Sequence, residues 1–483
     1  MNRFILCWVV VACALASPAS ADVVTYWDDV LADVIRADTT QLGPTKVARN
    51  MAMAHAAIYD AVNSVEGGYR PYHLMLPAAP GTSAESAAAQ AAYQVVVNLY
   101  PAQKAKLDAA LSTSLAAVPT GAGKNAGIAL GTSIGNSMVA LRQNDHAFDQ
   151  IPYTPGNNPG NWRPTFPDFT SAYAPGWGHV TPFAMTQGAQ FRPPAPPALT
   201  SADYTAAFNE VKELGSKNSA TRTPEQTQIG IFWGYDRLGM GPPPILYNQI
   251  IQTIAAEQGN TMVENARLFA LANIAMADAG IVSWDAKYEY NFWRPITAIR
   301  EADSDGNPDT IADLLWEPLG APGGGVVPNF TPPFPAYTSG HATFGAAAFR
   351  ILAAYYGTDQ MHFTIGSDEL SDIFRSFDSF SDAAEENAQS RIYLGIHWDF
   401  DKTFGISTGD AVADYIFANQ LQRVPAPSTL ALLVIGLATS AISLCRWQRV
   451  ATWWSLPTRR ERGHALRTVP SYKPAPRPAR DGR

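Results

Sequence analysis

An all-α fold, built as two helical bundles side by side, is what this sequence predicts, and three observations predict it. Apolar residues recur at helical spacing along most of the chain, whereas strand-like alternation is scarce. Serine, threonine, proline and glycine signals delimit roughly ten helical segments, the number expected of packed bundles. Hydrophobic residues make up 47% and charged residues 16% of 483 positions, which provides a large core and excludes a disordered chain.

Residues 1–21 run from Arg3 through an apolar stretch, Phe4 to Ala16, to Ala19-Ser20-Ala21. That is the layout of a secretory signal peptide, with cleavage expected before Asp22; a membrane anchor that is never cut is the alternative, disfavoured by the shortness of the apolar run. The N-terminal helical region, 22–200, begins with Thr45 to Val65, where Val47, Met51, His55, Ala56, Ile58 and Val62 fall on one helical face. Ser86 to Leu115, interrupted near Pro101, and Gly123 to Gln143 follow. Residues 146–200 are crowded with proline, glycine and aromatic residues, as in Asn161-Trp162-Arg163-Pro164 and Pro175-Gly176-Trp177-Gly178. So long an irregular stretch is either functional or a linker, and its aromatic content predicts a packed loop. The C-terminal bundle, 201–422, opens with helices at Ala202–Leu214, Pro224–Tyr235, Pro244–Gln258 and Thr261–Tyr290. A second irregular stretch, 302–336, precedes helices expected near 339–357, 366–376, 381–397 and 402–421.

The chain closes with an apolar run, Leu430 to Cys445, between Val424-Pro425-Ala426-Pro427-Ser428-Thr429 and a series of arginines. The order resembles a PEP-CTERM sorting signal, with Ala426 in place of the glutamate. It implies an anchor or sorting segment at 424–449, open to a sorting protease, followed by a basic tail at 450–483. A buried hydrophobic helix is the alternative.

Cys7, Cys13 and Cys445 are the three cysteines, so 22–444 holds none. A disulfide framework, a thiolate metal site and a catalytic cysteine are thereby excluded from the globular part. This agrees with export to the periplasm, cell envelope or extracellular space. Setting aside the eleven basic and two acidic residues of the two ends leaves 23 basic and 40 acidic residues, a net of −17. Such a field disfavours nucleic acid and anionic membrane as partners, and leaves membrane contact to the C-terminal segment alone.

Against that acidic background, three polar stretches are conspicuous: K-x6-R-P from Lys287 to Pro295, S-G-H from Ser339 to His341, and S-R-x5-H-x3-D from Ser390 to Asp401. Each has a plain structural reading: a solvated helix face, a helix cap and a helical His–Asp pair. Together they supply what a tetrahedral oxyanion requires. Lys287 and Arg294, seven apart, are expected on one face of a helix, among Tyr288, Tyr290, Phe292 and Trp293. Ser339 and Gly340 stand at a helix start, where free N–H groups and the dipole favour an anion. His341 adds a proton carrier. Asp401, four residues beyond His397, can hold one ring nitrogen and leave the other free as a nucleophile or metal ligand.

The three stretches in this order resemble the superfamily of vanadium-dependent haloperoxidases and type 2 phosphatidic acid phosphatases, with Thr338 where a proline is usual. Trp284, Phe334-Pro335-Ala336-Tyr337, Phe232-Trp233-Gly234-Tyr235-Asp236 and the chain length resemble the haloperoxidase branch. The resemblance implies a vanadium chloroperoxidase-like double bundle around one vanadate, with His397 bonded to the metal. Lys287, Arg294, Ser339, Gly340, His341 and Arg391 would contact the cofactor, His341 as acid–base. Asp236 would pair with an arginine. Hydrogen peroxide, a halide (bromide, and further chloride, given Trp284 and Phe334) and a small organic acceptor would be the substrates. The same residues fit a secreted acid phosphatase working through a phosphohistidine at His397, because pentacoordinate vanadate resembles the phosphoryl-transfer transition state. A non-catalytic envelope or matrix binding protein is the third reading.

Other candidates are weaker. Asp303-Ser304-Asp305-Gly306-Asn307 with Asp309 could bind calcium, but lacks the glutamate of an EF-hand loop and also reads as a solvated turn. His55, His73, His146, His179 and His362 show no ligand-like pairing, and no P-loop, G-x-G-x-x-G fingerprint or H-E-x-x-H is present.

Overall fold

A computed structural model describes residues 22–425 apart from positions 42, 238 and 325–327. The expected signal peptide, all but the first two residues of the sorting segment, the basic tail and the three cysteines lie outside the described residues. In chain order the helices are α1 (Val23–Ala37), α2 (Pro44–Glu66), α3 (Ala84–Leu99), α4 (Lys104–Ala116), α5 (Ala122–Arg142), α6 (Ala202–Leu214), α7 (Pro224–Phe232), α8 (Pro244–Glu257), α9 (Met262–Tyr290), α10 (Pro295–Arg300) and α11 (Gly340–Tyr356). A hairpin of β1 (Gln360–Ser367) and β2 (Leu370–Ser379) follows, and then α12 (Phe380–Tyr393) and α13 (Asp399–Asn419).

α9 organises the molecule. Thr261 caps it, with Glu264 completing a reciprocal capping box. Its side chains are buried nearly all round, as in a helix enclosed on every side. It packs against α2, which also meets α3 and α5, and against α11 and α13. One helix is thus a wall of both bundles, and a single apolar core runs through them. A second cluster, including Tyr204, Phe208, Phe292, Trp293, Trp398 and Phe400, packs the chain segments next to the polar motifs.

α11 and α13 approach closely because α13 presents Gly405 and Gly409 to its neighbour. A Cβ on Gly409 would stand 2.5 Å from the carbonyl oxygen of Thr343 and 2.8 Å from the Cβ of Ala346. Gly409→Ala is therefore expected to push the helices apart at a cost of about 1–3 kcal/mol, read as a lower thermal unfolding midpoint.

Three expectations are corrected and one helix is added. The helix expected at 366–376 is strand: Met361, Phe363 and Ile365 alternate with His362, Thr364 and Gly366, and Phe363 pairs with Phe377 across the hairpin. α1, unanticipated, is started by Asp22, whose carboxylate accepts the N–H groups of Val24 and Thr25 at 2.8 and 3.1 Å. Lys287 and Arg294 do not share a helix, because Asn291 turns left-handed (φ 51°) and ends α9 before Pro295 starts α10. His397 is not helical either: α12 stops at Tyr393, and Gly395 (φ 72°) turns the chain before α13.

Candidate active site

The polar motifs meet where helices end. Lys287 closes α9, Arg294 caps α10, Ser339 caps α11, and Arg391 and His397 flank the turn into α13. Lys287, Arg294, Arg391 and Asp401 are no more than 1% exposed.

Lys287 donates to the carbonyl oxygens of Pro335 and Ala336 at 2.9 and 3.0 Å and to that of Thr338. All three ammonium donors are thereby engaged, so an anion oxygen reaches Lys287 by displacing a carbonyl. Its Nζ lies 5.0 Å from the centroid of Phe334 and 5.5 Å from that of Trp284. Burial, reinforced by Arg294, pushes its pKa well below the usual lysine range.

Arg294 ties two loops together. Its Nε–H donates to the carbonyl of Phe334 at 2.9 Å, and its Nη1 lies 2.6 Å from the carbonyl oxygen of Ile396 and 3.0 Å from Nε2 of His397. A guanidinium only donates, so Nε2 of His397 is the acceptor and the ring proton sits on Nδ1. Nδ1 stands 2.8 Å from Oδ2 of Asp401, and the same oxygen accepts the N–H of Trp398 at 3.2 Å. His397 is therefore a neutral imidazole with its Nε2 lone pair turned to the cations. Burial, together with Arg294, Lys287 and Arg391, holds its pKa well below the usual histidine value. Burial raises that of Asp401 to about 7 against the pull of Lys287.

Arg391 donates through Nη2 to Asp236, which reaches the site from the segment after α7. Nε2–H of His341 donates to the carbonyl of Gly234 at 2.8 Å, and Asp236 lies 3.9 Å from the same nitrogen. Burial, with Arg391 adding to it, lowers the His341 pKa to about 4, so the ring is neutral at neutral pH. The Ser339 hydroxyl accepts the N–H of Ala342 at 3.4 Å, and the Ser339 N–H donates to the carbonyl of Asp401 at 3.1 Å. Gly340, the first residue of α11, lies against Trp284. Trp284 and Phe334 form the apolar wall, their ring centroids 4.9 Å apart.

Several contributors carry no local sequence signal. Tyr173, from the irregular 146–200 stretch, packs against Trp284 and Phe334 at 6.1 and 6.3 Å, so that stretch serves the site. Asn387 donates to the carbonyl of His341 at 2.9 Å, and the Tyr247 hydroxyl lies 3.1 Å from the same oxygen. Asn387 stands one turn before Arg391 on α12, the one hint available. At the calcium candidate, Asp305 accepts the N–H of Asn307 and the hydroxyl of Thr310 at 2.7 and 2.8 Å. Among the described residues no three His, Cys, Asp or Glu side chains form a cation site there or elsewhere.

The donor set fits an oxyanion. Nη2 of Arg294 and Nε and Nη1 of Arg391 are buried without a hydrogen-bond acceptor. Buried donors of this kind are costly when unpaired. Among the described residues, the carboxylates facing Lys287, Arg294 and Arg391 are those of Asp236 and Asp401, and Asp401 is itself held toward neutrality by burial. A tetrahedral anion seated beside Nε2 of His397 would supply the missing acceptors and charge.

Fold and site together define a helical protein with a buried cationic centre suited to an oxyanion. Residues 267–424 match the family model described as the VCPO second helical-bundle domain. Vanadium chloroperoxidase of Curvularia inaequalis is 32% identical over 488 residues, covering 78% of each chain. The first bacterial vanadium-dependent iodoperoxidase structure superposes with a TM-score of 0.70 at 24% identity, over 84% of this chain and 97% of that one. A holo-type bacterial vanadium-dependent chloroperoxidase gives 0.62 at 17% identity, over 80% and 95%. The chain belongs to the vanadium chloroperoxidase family, a family of peroxidase-class enzymes.

Proposed function

We propose that this protein is a vanadate-dependent haloperoxidase that oxidises halide with hydrogen peroxide to a hypohalous-type species, which halogenates a small organic acceptor. The observation that carries the reading is the set of unpaired guanidinium donors beside the Nε2 lone pair of His397. Vanadate supplies a Lewis-acidic centre at which peroxide becomes an oxidant of halide. His397 would hold it through Nε2, with Asp401 fixing the tautomer and orientation of the ring. Arg294 and Arg391 would donate to its oxygens. The N-terminal N–H groups of α11 at Gly340 and His341 face an anion by helix geometry. His341, neutral at working pH, can accept a proton as peroxide is deprotonated. Trp284 and Phe334 exclude water from one side, and their family resemblance supports bromide, and further chloride, as substrate.

The accepting Nε2 also favours a second reading, a phosphomonoesterase in which His397 attacks phosphorus and the cations hold the equatorial oxygens. Purified protein assayed with and without orthovanadate separates the two. The main reading expects bromination that requires both vanadate and peroxide, with negligible phosphate release from a chromogenic ester. Phosphate release inhibited by vanadate, with no bromination, overturns it. Anion binding without either turnover leaves a non-catalytic protein. Export belongs to the same proposal, supported by the signal-like residues 1–21 and the lack of cysteine in 22–444.

A further inference from the structure

The turn of the β1–β2 hairpin holds the chain on both sides of Asp236. Oε1 of Glu369 accepts the N–H of Tyr235 at 3.1 Å, and Oε2 accepts Nε–H of Arg237 at 2.8 Å, so one carboxylate brackets Asp236. The Glu369 side chain is only 3% exposed. Two further contacts join the same pair of segments. The Ser367 hydroxyl donates to the carbonyl of Phe232 at 2.7 Å, and the Asp368 N–H donates to the Tyr235 hydroxyl at 2.8 Å.

The bracketed segment needs such a hold. Tyr235 has φ 45°, a left-handed conformation that bulky residues adopt only when their surroundings over-determine it. Its neighbours meet the anion site directly: the Gly234 carbonyl accepts from His341, and the Asp236 carboxylate accepts from Arg391. Asp236 occupies one end of the Arg391 fork, which leaves Nε and Nη1 as the donors without a partner.

We propose that Glu369 is a positioning residue of this site, holding the 234–237 segment so that Asp236 orients the Arg391 guanidinium toward the bound oxyanion. The inference rests on the vanadate reading of the site. Glu369 touches neither the anion cradle nor either histidine, so its influence runs through Asp236. Charge and geometry act here with opposite signs. Deleting a carboxylate near an anion site tightens anion binding by Coulomb's law, whereas releasing Arg391 from its orientation weakens it.

The test is orthovanadate affinity, measured by calorimetric titration on the whole protein, for wild type, Glu369→Ala and Glu369→Gln, each also combined with Asp236→Asn. Thermal midpoints are recorded alongside. Glu369→Ala is expected to weaken orthovanadate binding by about tenfold or more, the scale on which supporting residues act at ligand sites. Glu369→Gln, which keeps an acceptor for the Tyr235 N–H, recovers part of the loss. In the Asp236→Asn background Glu369→Ala adds no further loss, because the residue through which it acts is already changed. Unchanged or tighter binding in Glu369→Ala overturns the proposal, as does an equal loss in both backgrounds. Should the alanine variant not fold, Glu369→Asp takes its place, since its shorter arm cannot bracket both partners, and the same outcomes decide. Wild-type protein that binds no orthovanadate overturns the site reading itself and this inference with it.

Discussion

His397→Ala is expected to abolish orthovanadate binding and to lower vanadate-dependent bromination by at least about 10³-fold, the upper range for loss of a single oxyanion-hole donor. The reason is geometric. His397 offers a fixed lone pair among the buried cations: Nδ1–H is held by Asp401, and Nε2 faces the guanidinium of Arg294. Lys287, Arg294 and Arg391 only donate, so none of the cations can replace it as a ligand. The fold is expected to survive, because His397 lies in a turn and not within a helix. A titration that still shows orthovanadate binding at wild-type affinity, with the thermal midpoint retained, refutes His397 as the ligand.

Arg294→Ala is expected to damage both stability and binding. The guanidinium is the only bridge, among the described hydrogen bonds, from the Phe334 carbonyl to the 396–397 turn. Its loss leaves two buried carbonyls and Nε2 of His397 without a donor, at a cost of about 1–3 kcal/mol for each group that water fails to reach. Orthovanadate affinity should fall by roughly two orders of magnitude, as for other oxyanion donors. Arg294→Lys keeps the charge but not the fork, and should restore stability more than affinity. Equal recovery of both, measured by thermal unfolding and titration, would mean that Arg294 acts only as a point charge.

How much of this was legible in the sequence depended on whether the information was local. The helix starts expected at Ala202 and Thr261 are reproduced within a residue, where Ser201 caps one and a Thr261–Glu264 capping box opens the other. The three motifs named the cations and both histidines. Their placement was less legible. Spacing put Lys287 and Arg294 on one helix, yet a single left-handed Asn291 sends Arg294 across to another loop. The β1–β2 hairpin was misread because Phe374 is exposed and breaks the apolar alternation that would have shown a strand. Asn387, Tyr247 and Glu369 bond to main-chain groups far away in sequence, and such bonds leave no periodicity to read.

The sharing of α9 between the two bundles has a mechanical consequence. Lys287 sits at the end of a 29-residue rod whose flank is gripped by α2. A rod clamped along its length has no freedom to slide or swivel at its tip, so the N-terminal bundle sets the depth to which the ammonium reaches even though it carries none of the motif cations. Substitutions along the α2–α9 seam, remote from any reacting atom, therefore act as a coarse adjustment of the site, and the loops around the anion provide the fine one.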